Sequence, residues 1–191
     1  MKNHAHTIKE ELKSILLFVA VIWIVFFLDF FLPLEKLGLI PRDLGGIFGI
    51  VTMTFLHGDL AHIMSNFVPL VIMLLLLAGS KANSALIVVT IIAVGGLLLW
   101  LFGRGNTLHI GASLLVFGLA VFLIVSGILE KRLVPVLISL FVAFTYGGIL
   151  LSGIAPWQEG NVSWDGHLFG GIGGAIAAWL FVGKGVRRYT T

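Results

Sequence analysis

The chain has 191 residues, of which 59% are hydrophobic and only 11% are charged. A soluble domain is about half apolar and about a quarter charged, so this composition excludes a soluble globular protein and indicates one embedded in a lipid bilayer. The formal charge of +3 does not indicate a nucleic-acid partner, because the basic residues are scattered along the chain and form no continuous face. The absence of cysteine excludes disulfides and thiolate metal sites.

Six apolar segments are long enough to cross the hydrocarbon layer, which takes about 20 residues. In chain order they are Leu12–Leu34, Leu60–Leu77, Ser84–Phe102, Ala112–Leu129, Leu133–Leu151 and Gly166–Val182. The first segment has a basic start, as a signal peptide does, but its apolar run is too long and no small-residue cleavage pattern follows, so we expect it to remain as a helix. The sequence therefore predicts an all-α membrane protein with a single domain over residues 1–191.

The distribution of Lys and Arg predicts the orientation, because cytoplasmic loops are enriched in them. With both termini cytoplasmic, the inner side collects Lys2, Lys9, Lys13, Lys81, Lys131, Arg132, Lys184, Arg187 and Arg188. The outer side collects only Lys36, Arg42 and Arg104. We therefore expect an even number of spans with both ends in the cytoplasm.

Polar side chains gather at the outer starts of the helices. Asp59 is placed to cap the second span, which puts His62 in its first turn. His62 and Asn66 are four residues apart and so share one helical face, whereas His57 lies before the helix. The second span therefore presents an imidazole and an amide on one side of its outer end.

Two other spans begin with a hydroxyl and an imidazole. Ser113 opens the fourth span, and His167 lies in the first turn of the sixth, with Asp165 predicted as the cap of that helix. A serine is a weak nucleophile that needs a nearby base, and the oxyanion that follows its attack needs hydrogen-bond donors. Because no carboxylate is placed to orient His167, we expect a dyad rather than a triad.

The spacing of small residues along the sixth span explains how the two groups meet. Small residues recur at every fourth position, which allows two membrane helices to approach closely. These residues are Gly166, Gly170, Gly174 and Ala178. If the fourth span is the partner, His167 comes within hydrogen-bonding reach of Ser113.

Together these residues resemble the rhomboid intramembrane serine proteases. The resemblance rests on "GAS" at residues 111–113 with Phe117 and Gly118 following, and on the spacing His57-x4-His62-x3-Asn66. It rests also on "GHLFGGIGG" at residues 166–174, which is similar to the family's His-x-x-Gly-x-x-x-Gly. The resemblance covers all six spans, in the right order, with the motifs on the expected helices.

The resemblance implies roles for these positions. Ser113 would be the nucleophile of a serine endopeptidase, His167 its base, and His62 with Asn66 the oxyanion donors. Structural roles near the site would fall to His57, Gly111, Gly170 and Gly174. The family also implies a compact six-helix rhomboid-like bundle without metal or cofactor. Its implied partners are the lipid bilayer and single-spanning membrane proteins, which are cut near the outer end of a helix carrying small or helix-breaking residues.

Alternative functions remain open at this point. Leu114 stands where the family usually has glycine, so the runner-up is an inactive rhomboid-like pseudoprotease that acts as a membrane-protein binding or chaperone module. A zinc site would need three ligands, for which His57, His62 and His167 are candidates, but no His-Glu-x-x-His is present and the five-residue gap separates His57 from His62 on a helix. An aspartyl intramembrane protease would need two facing aspartates, and only Asp29 lies within a span. No repeat of the kind that transporters show relates the two halves.

Three further positions carry expectations about local structure. We expect Asp29 to reach the interface or to hydrogen-bond the first loop, and His109 to do no more than border the third outer loop. Gly147 and Gly148 are predicted to interrupt the fifth helix and to let it yield sideways to a substrate. We expect a multi-pass protein of a prokaryotic cell membrane that acts as a monomer.

Overall fold

The computed structural model describes residues 8–81, 84–157 and 162–183. Within these ranges six helices are long and apolar enough to cross a membrane, which confirms the predicted all-α membrane bundle. The helices are α1 (Ile8–Asp29), the short α2 (Gly49–Thr52), α3 (Leu60–Ser80), α4 (Ser84–Phe102), α5 (Ser113–Glu130), α6 (Leu133–Gly153) and α7 (Trp164–Ala178). Only α2, which lies in the first loop, is too short to span.

The spanning helices alternate in direction, so α3, α5 and α7 begin at the end of the bundle where α1, α4 and α6 finish. This end is called the upper end below, and the opposite one the lower end. Lys81, Lys131 and Arg132 follow directly on the lower ends of α3 and α5, in agreement with the basic side predicted from the sequence. Four other basic residues of that set lie outside the described ranges: Lys2, Lys184, Arg187 and Arg188.

The first helix ends at Asp29 rather than at the predicted Leu34. The side chain of Asp29 binds the backbone of the residues that follow and so ends the helix. Asp29 Oδ1 accepts hydrogen bonds from the backbone N–H of Leu34 at 2.6 Å and of Glu35 at 3.1 Å. The predicted hydrogen bond to the first loop is therefore confirmed. Pro33 has no N–H to continue a helical ladder, so the chain turns away from α1 at this point.

The core of the bundle is α5. The buried share of its span is 61%, whereas that of α1 and of α6 is 17%. It packs against α7 and α6 most extensively, and also against α3 and α4. The peripheral helices turn large apolar side chains outward, such as Phe144 of α6 and Leu16 of α1, which are 94% and 69% exposed. Such surfaces are stable only where lipid covers them.

The glycines of α7 fix its distance from α5. A Cβ atom at Gly170 would collide with the carbonyl of Leu114, and one at Gly174 with the carbonyl of Gly118. The two backbones therefore touch along the predicted stripe, and α5 is confirmed as its partner. On another face of α7, a Cβ at Gly173 would lie 3.0 Å from the backbone nitrogen of Gly95 in α4. Close packing on two sides holds α7 in place.

The predicted interruption of α6 is wrong. The helix is continuous from Leu133 to Gly153. A Cβ added at Gly147 or Gly148 would meet no atom within 4 Å, so both glycines face outward and need no special backbone conformation. Tertiary packing and lack of water sustain a helix through glycines that would weaken it in solution. Toward α3 and α7, α6 makes far fewer contacts than toward α5.

Candidate active site

A cavity of about 500 Å³ opens at the upper end of the bundle, between α3, α5, α6 and α7. Four residues predicted to act together line it: Ser113, His167, His62 and Asn66. Other walls come from Asp59, Ser65, Ile110, Phe117, Ile149, Ser152, Gly153, Val162 and Ser163. The helix starts that looked independent in the sequence therefore converge on one space.

Ser113 is the first residue of α5, and the loop before it is fixed on both sides. Gly111 has φ +112°, a conformation that favours glycine, and its N–H donates to the carbonyl of Met53 at 2.8 Å. The N–H of Ala112 donates to Nε2 of His57 at 3.3 Å. The half-buried side chain of Ser113 then faces the cavity at the start of the helix, where backbone N–H groups lack helical partners.

His167 is oriented by a carbonyl from α6. Its Nδ1 lies 2.8 Å from the carbonyl oxygen of Gly153. A carbonyl oxygen can only accept, so Nδ1 carries the hydrogen, and the neutral ring has its lone pair on Nε2. Phe117, one turn after Ser113, stacks on the imidazole with ring centres 4.0 Å apart and planes 7° apart. The hydrogen bond to Gly153 therefore fixes the tautomer of the imidazole, and the stacking on Phe117 fixes the orientation of its ring plane.

Within the described residues, the hydroxyl of Ser113 makes no hydrogen bond to the ring of His167. Catalytic hydrogen bonds are often long in an enzyme without substrate and tighten when substrate is bound. The two groups share a cavity and come from adjacent, tightly packed helices.

His62 and Asn66 lie on the other side of the nucleophile's loop. The carboxylate of Asp59 accepts the N–H of His62 at 2.7 Å, which confirms Asp59 as the cap of α3. A Cβ at Gly111 would come within 2.6 Å of His62 Nε2 and 3.4 Å of Asn66 Nδ2. Both donors therefore stand beside the backbone that leads into Ser113, and glycine is required at 111 to admit them.

His57 lies behind this loop rather than in the cavity. It is 1% exposed, and its ring meets that of His62 edge to face with centres 5.1 Å apart. Burial, with His62 adding to the effect, lowers the pKa of His57 to about 4. A neutral ring is needed to accept the N–H of Ala112, so the low pKa maintains this contact near neutral pH. Its place next to the loop is that of a supporting residue.

Two expectations about nearby residues are wrong. Asp165 does not cap α7, because the N-cap position falls on Ser163 and the carboxylate binds Arg104 instead. His109 does not merely border the third loop, since it is 2% exposed and its Nδ1 lies 2.7 Å from Ser163 Oγ. The sequence signal for both was an ionisable residue close to a helix start, which also fits a simple cap.

Leu114 points away from the cavity. Its side chain is 2% exposed and packs with Leu39, Met53 and Leu99 in a small apolar cluster. One of its methyl groups would lie 3.1 Å from a Cβ at Gly95, so the glycine of α4 makes room for it. The bulk that distinguishes this chain from the usual family pattern is therefore absorbed on the far side of α5.

Among the residues described, no three His, Cys, Asp or Glu side chains are grouped so that they could hold a metal ion. Two of the three histidines weighed as zinc ligands have other hydrogen-bond partners. Nε2 of His57 faces a backbone N–H, and Nδ1 of His167 faces a carbonyl.

Comparison with known proteins adds an independent observation. The family model for the rhomboid domain matches residues 44–184. The chain is similar to uncharacterized proteins of Mycobacterium bovis and Mycobacterium tuberculosis, with 39% identity over 178 residues that cover 87% of this chain and 73% of each relative. An uncharacterized protein of Mycobacterium leprae is 34% identical over 177 residues, covering 87% of this chain and 70% of the relative. No solved structure matches the chain significantly.

Proposed function

The chain belongs to the rhomboid family, and on that premise we propose that it is an intramembrane serine endopeptidase. Ser113 is the nucleophile and His167 the general base of a dyad. The observation that carries the proposal is the shared cavity of Ser113 and His167, in which the Gly153 carbonyl leaves the lone pair of the neutral imidazole on Nε2. The protein is an integral, multi-pass membrane protein, and we propose a prokaryotic cell membrane as its site.

Acylation begins with proton transfer from Ser113 Oγ to Nε2 of His167 as Oγ attacks the carbonyl carbon of the scissile peptide. The hydrogen bond from Nδ1 to the Gly153 carbonyl persists and helps to stabilise the imidazolium. His167 then returns the proton to the leaving amine, and an acyl-enzyme remains on Ser113. Water, deprotonated by the same histidine, attacks the ester and releases the new carboxylate.

The developing oxyanion is stabilised by three donors. The backbone N–H of Ser113 lies at a helix start, where no helical acceptor is present. His62 and Asn66 contribute side-chain N–H groups from α3, on the same side of the loop. In mutagenesis of other hydrolases, loss of one such donor costs about a hundredfold to a thousandfold in rate.

The substrates proposed are single-spanning membrane proteins cut near the outer end of their helix. The cavity has walls from α3 and α6, so a substrate chain can reach Ser113 from the lipid by passing between them. Small or helix-breaking residues lower the cost of unwinding the substrate, because its freed backbone groups find partners in the cavity. No cofactor is required, and the bundle carries the whole set in one chain, so we propose a monomer.

The pseudoprotease is the outcome that a negative test would favour. Leu114 was the reason to consider it, and its side chain is buried away from Ser113. The purified protein should be reconstituted into vesicles with a single-spanning reporter that carries glycine or proline in the outer half of its helix. Wild type should cut the reporter and Ser113→Ala should not. Binding of the reporter without cleavage by wild type would instead support the pseudoprotease.

A further inference from the structure

A buried polar cluster lies next to the site and has no role in the proposed mechanism. Its members are Arg104, His109, Ser163 and Asp165. Asp165 is 1% exposed, and its Oδ2 accepts the backbone N–H of Arg104 at 2.8 Å. Its Oδ1 accepts Nη2 of Arg104 at 3.1 Å, and the same Nη2 donates to the carbonyl of Val162 at 3.1 Å. His109 completes the cluster, with Nε2 3.7 Å from Asp165 Oδ2 and Nδ1 2.7 Å from Ser163 Oγ.

The cluster joins the two segments that carry the reacting groups. Arg104 and His109 belong to the third loop, residues 103–112, which leads directly into Ser113. Asp165 lies in the first turn of α7, two residues before His167. Both oxygens of the Asp165 carboxylate bind Arg104, so this carboxylate ties the third loop, which leads into Ser113, to α7, which carries His167.

The loop is also held from its other side. His109 pairs with Leu39 through two backbone hydrogen bonds, of 3.0 and 2.8 Å, which fasten the third loop to the first. The guanidinium of Arg104 lies over the ring of Trp164, 5.4 Å from its centre. With the first loop on one side and α7 on the other, the third loop has little freedom to shift relative to the cavity.

Burying a carboxylate is costly unless hydrogen bonds compensate for the lost water. Helix α7 has Ser163 at its N-cap, and the carboxylate of Asp165 is engaged with Arg104 rather than with the helix N–H groups. The buried charge therefore serves a contact between segments, not the start of the helix. The segments it joins are those whose separation decides proton transfer.

We propose that Asp165 is the positioning residue of this site, with Arg104 as its partner and His109 as a secondary contact. The inference rests on the proposed function, since it assigns Asp165 to the dyad of Ser113 and His167. Asp165 holds the third loop, and with it the start of α5, against the first turn of α7, and it touches neither the substrate nor the reacting atoms. A misplacement of about 1 Å at a reacting centre can cost about a hundredfold in rate.

The test measures the rate at which a fluorophosphonate probe labels the detergent-purified protein. The variants are Asp165→Asn, Asp165→Glu, Arg104→Gln and the double variant Arg104→Gln/Asp165→Asn. The matched control is Asp43→Asn, at an exposed turn of the first loop. Each labelling time course gives two quantities. The rate constant describes how fast the competent protein reacts, and the amplitude gives the fraction of all protein that becomes labelled. A merely structural role lowers the amplitude, whereas a positioning role lowers the rate constant.

We expect Asp165→Asn to lower the rate constant at least tenfold at a preserved amplitude, with partial recovery in Asp165→Glu. The double variant should lose no more than the worse single variant, because both changes break one contact. Asp43→Asn should match wild type. A wild-type rate constant in Asp165→Asn would overturn the proposal. If Asp165→Asn does not fold, Arg104→Gln decides, since that side chain is 41% exposed and the backbone hydrogen bond is retained.

Hydrogen–deuterium exchange tests the contact between the third loop and α7 independently of any catalytic activity. Asp165→Asn should raise exchange in residues 103–112 whether or not the protein reacts with the probe. Unchanged exchange there would overturn the positioning role by itself. A wild-type protein that takes no probe would contradict the endopeptidase, and the contact between the loop and α7 would then be judged by exchange alone.

Discussion

Gly153 is the residue through which α6 meets the proposed base. A Cβ at this position would lie 2.9 Å from Cε1 of Phe117 and 3.2 Å from Nδ1 of His167, so the Gly153→Ala variant must displace the stacked rings. We expect the rate of fluorophosphonate labelling to fall at least tenfold. The control is Gly79→Ala, where an added Cβ meets no atom within 4 Å. Equal labelling of Gly153→Ala and wild type would contradict the role given to this carbonyl.

Leu114 is expected to serve packing and not catalysis. Truncation of a buried leucine to alanine typically costs about 2–5 kcal/mol. Leu114→Ala should therefore lower the melting temperature in detergent while the folded fraction keeps its labelling rate. Leu114→Met, which conserves volume, should change both quantities little. A folded Leu114→Ala protein with abolished labelling would show that this side chain acts on the site.

His57 makes stability depend on pH in a stated direction. Its pKa is about 4 in the folded protein against 6.5 ordinarily, so acid protonates the unfolded chain first. The free energy of unfolding should be unaffected by His57 above about pH 6.5 and should fall by up to about 3 kcal/mol as the pH drops toward 4. Melting temperatures between pH 4 and 7 measure this. The slope should be shallower in His57→Gln, and an equal slope would contradict the assignment.

The four polar side chains that line the cavity could be predicted from the sequence, but the groups that orient them could not. Polar side chains inside a membrane protein are energetically costly and tend to mark functional sites. Four of them lie at the starts of apolar helices: Ser113, His167, His62 and Asn66. The carbonyl of Gly153 has no sequence signature, because every residue has one. Asp165 and Arg104 are 61 residues apart, and nothing local distinguishes their contact from a helix cap.

At the scale of elements, α6 is the helix best able to move. Its span is the least buried of the helices around the cavity, at 17%, and its packing is concentrated on α5. Replacing Gly147 and Gly148 by alanine strengthens the helix by up to about 1 kcal/mol per site without a clash. The double variant should cut a membrane-embedded reporter several times more slowly and react with the small fluorophosphonate at the normal rate. An unchanged cleavage rate would contradict sideways movement of α6.

Five of the six predicted spans agree with the observed helices to within a few residues, because an apolar run of about 20 residues has one low-energy conformation in lipid. The first helix stops early, because Asp29 bonds the chain beyond it. The interruption predicted at Gly147 and Gly148 relied on helix propensities measured in water. In a bilayer the cost of unpaired backbone groups outweighs those propensities.

At the scale of the whole molecule, the fold buries polar side chains in its interior and exposes apolar side chains on its surface. Phe144 is 94% exposed, whereas Asp165 is 1% exposed at the heart of the upper end. Composition alone predicts this inversion, and the spacing of small residues predicts the face of α7 that touches another helix, whereas the partner helix is seen only in the structure. The small-residue stripe on α7 allows the proposed base, on α7, and the proposed nucleophile, on α5, to share a cavity.

That Ser113 is activated is tested most directly by labelling the folded protein with a fluorophosphonate and mapping the modified peptide. The mapping should find the probe on Ser113 in wild type, and labelling should be absent from Ser113→Ala and from His167→Ala. Melting curves of all three proteins verify that they are folded. A folded wild type that takes no probe, or labelling that survives Ser113→Ala, would contradict the claim.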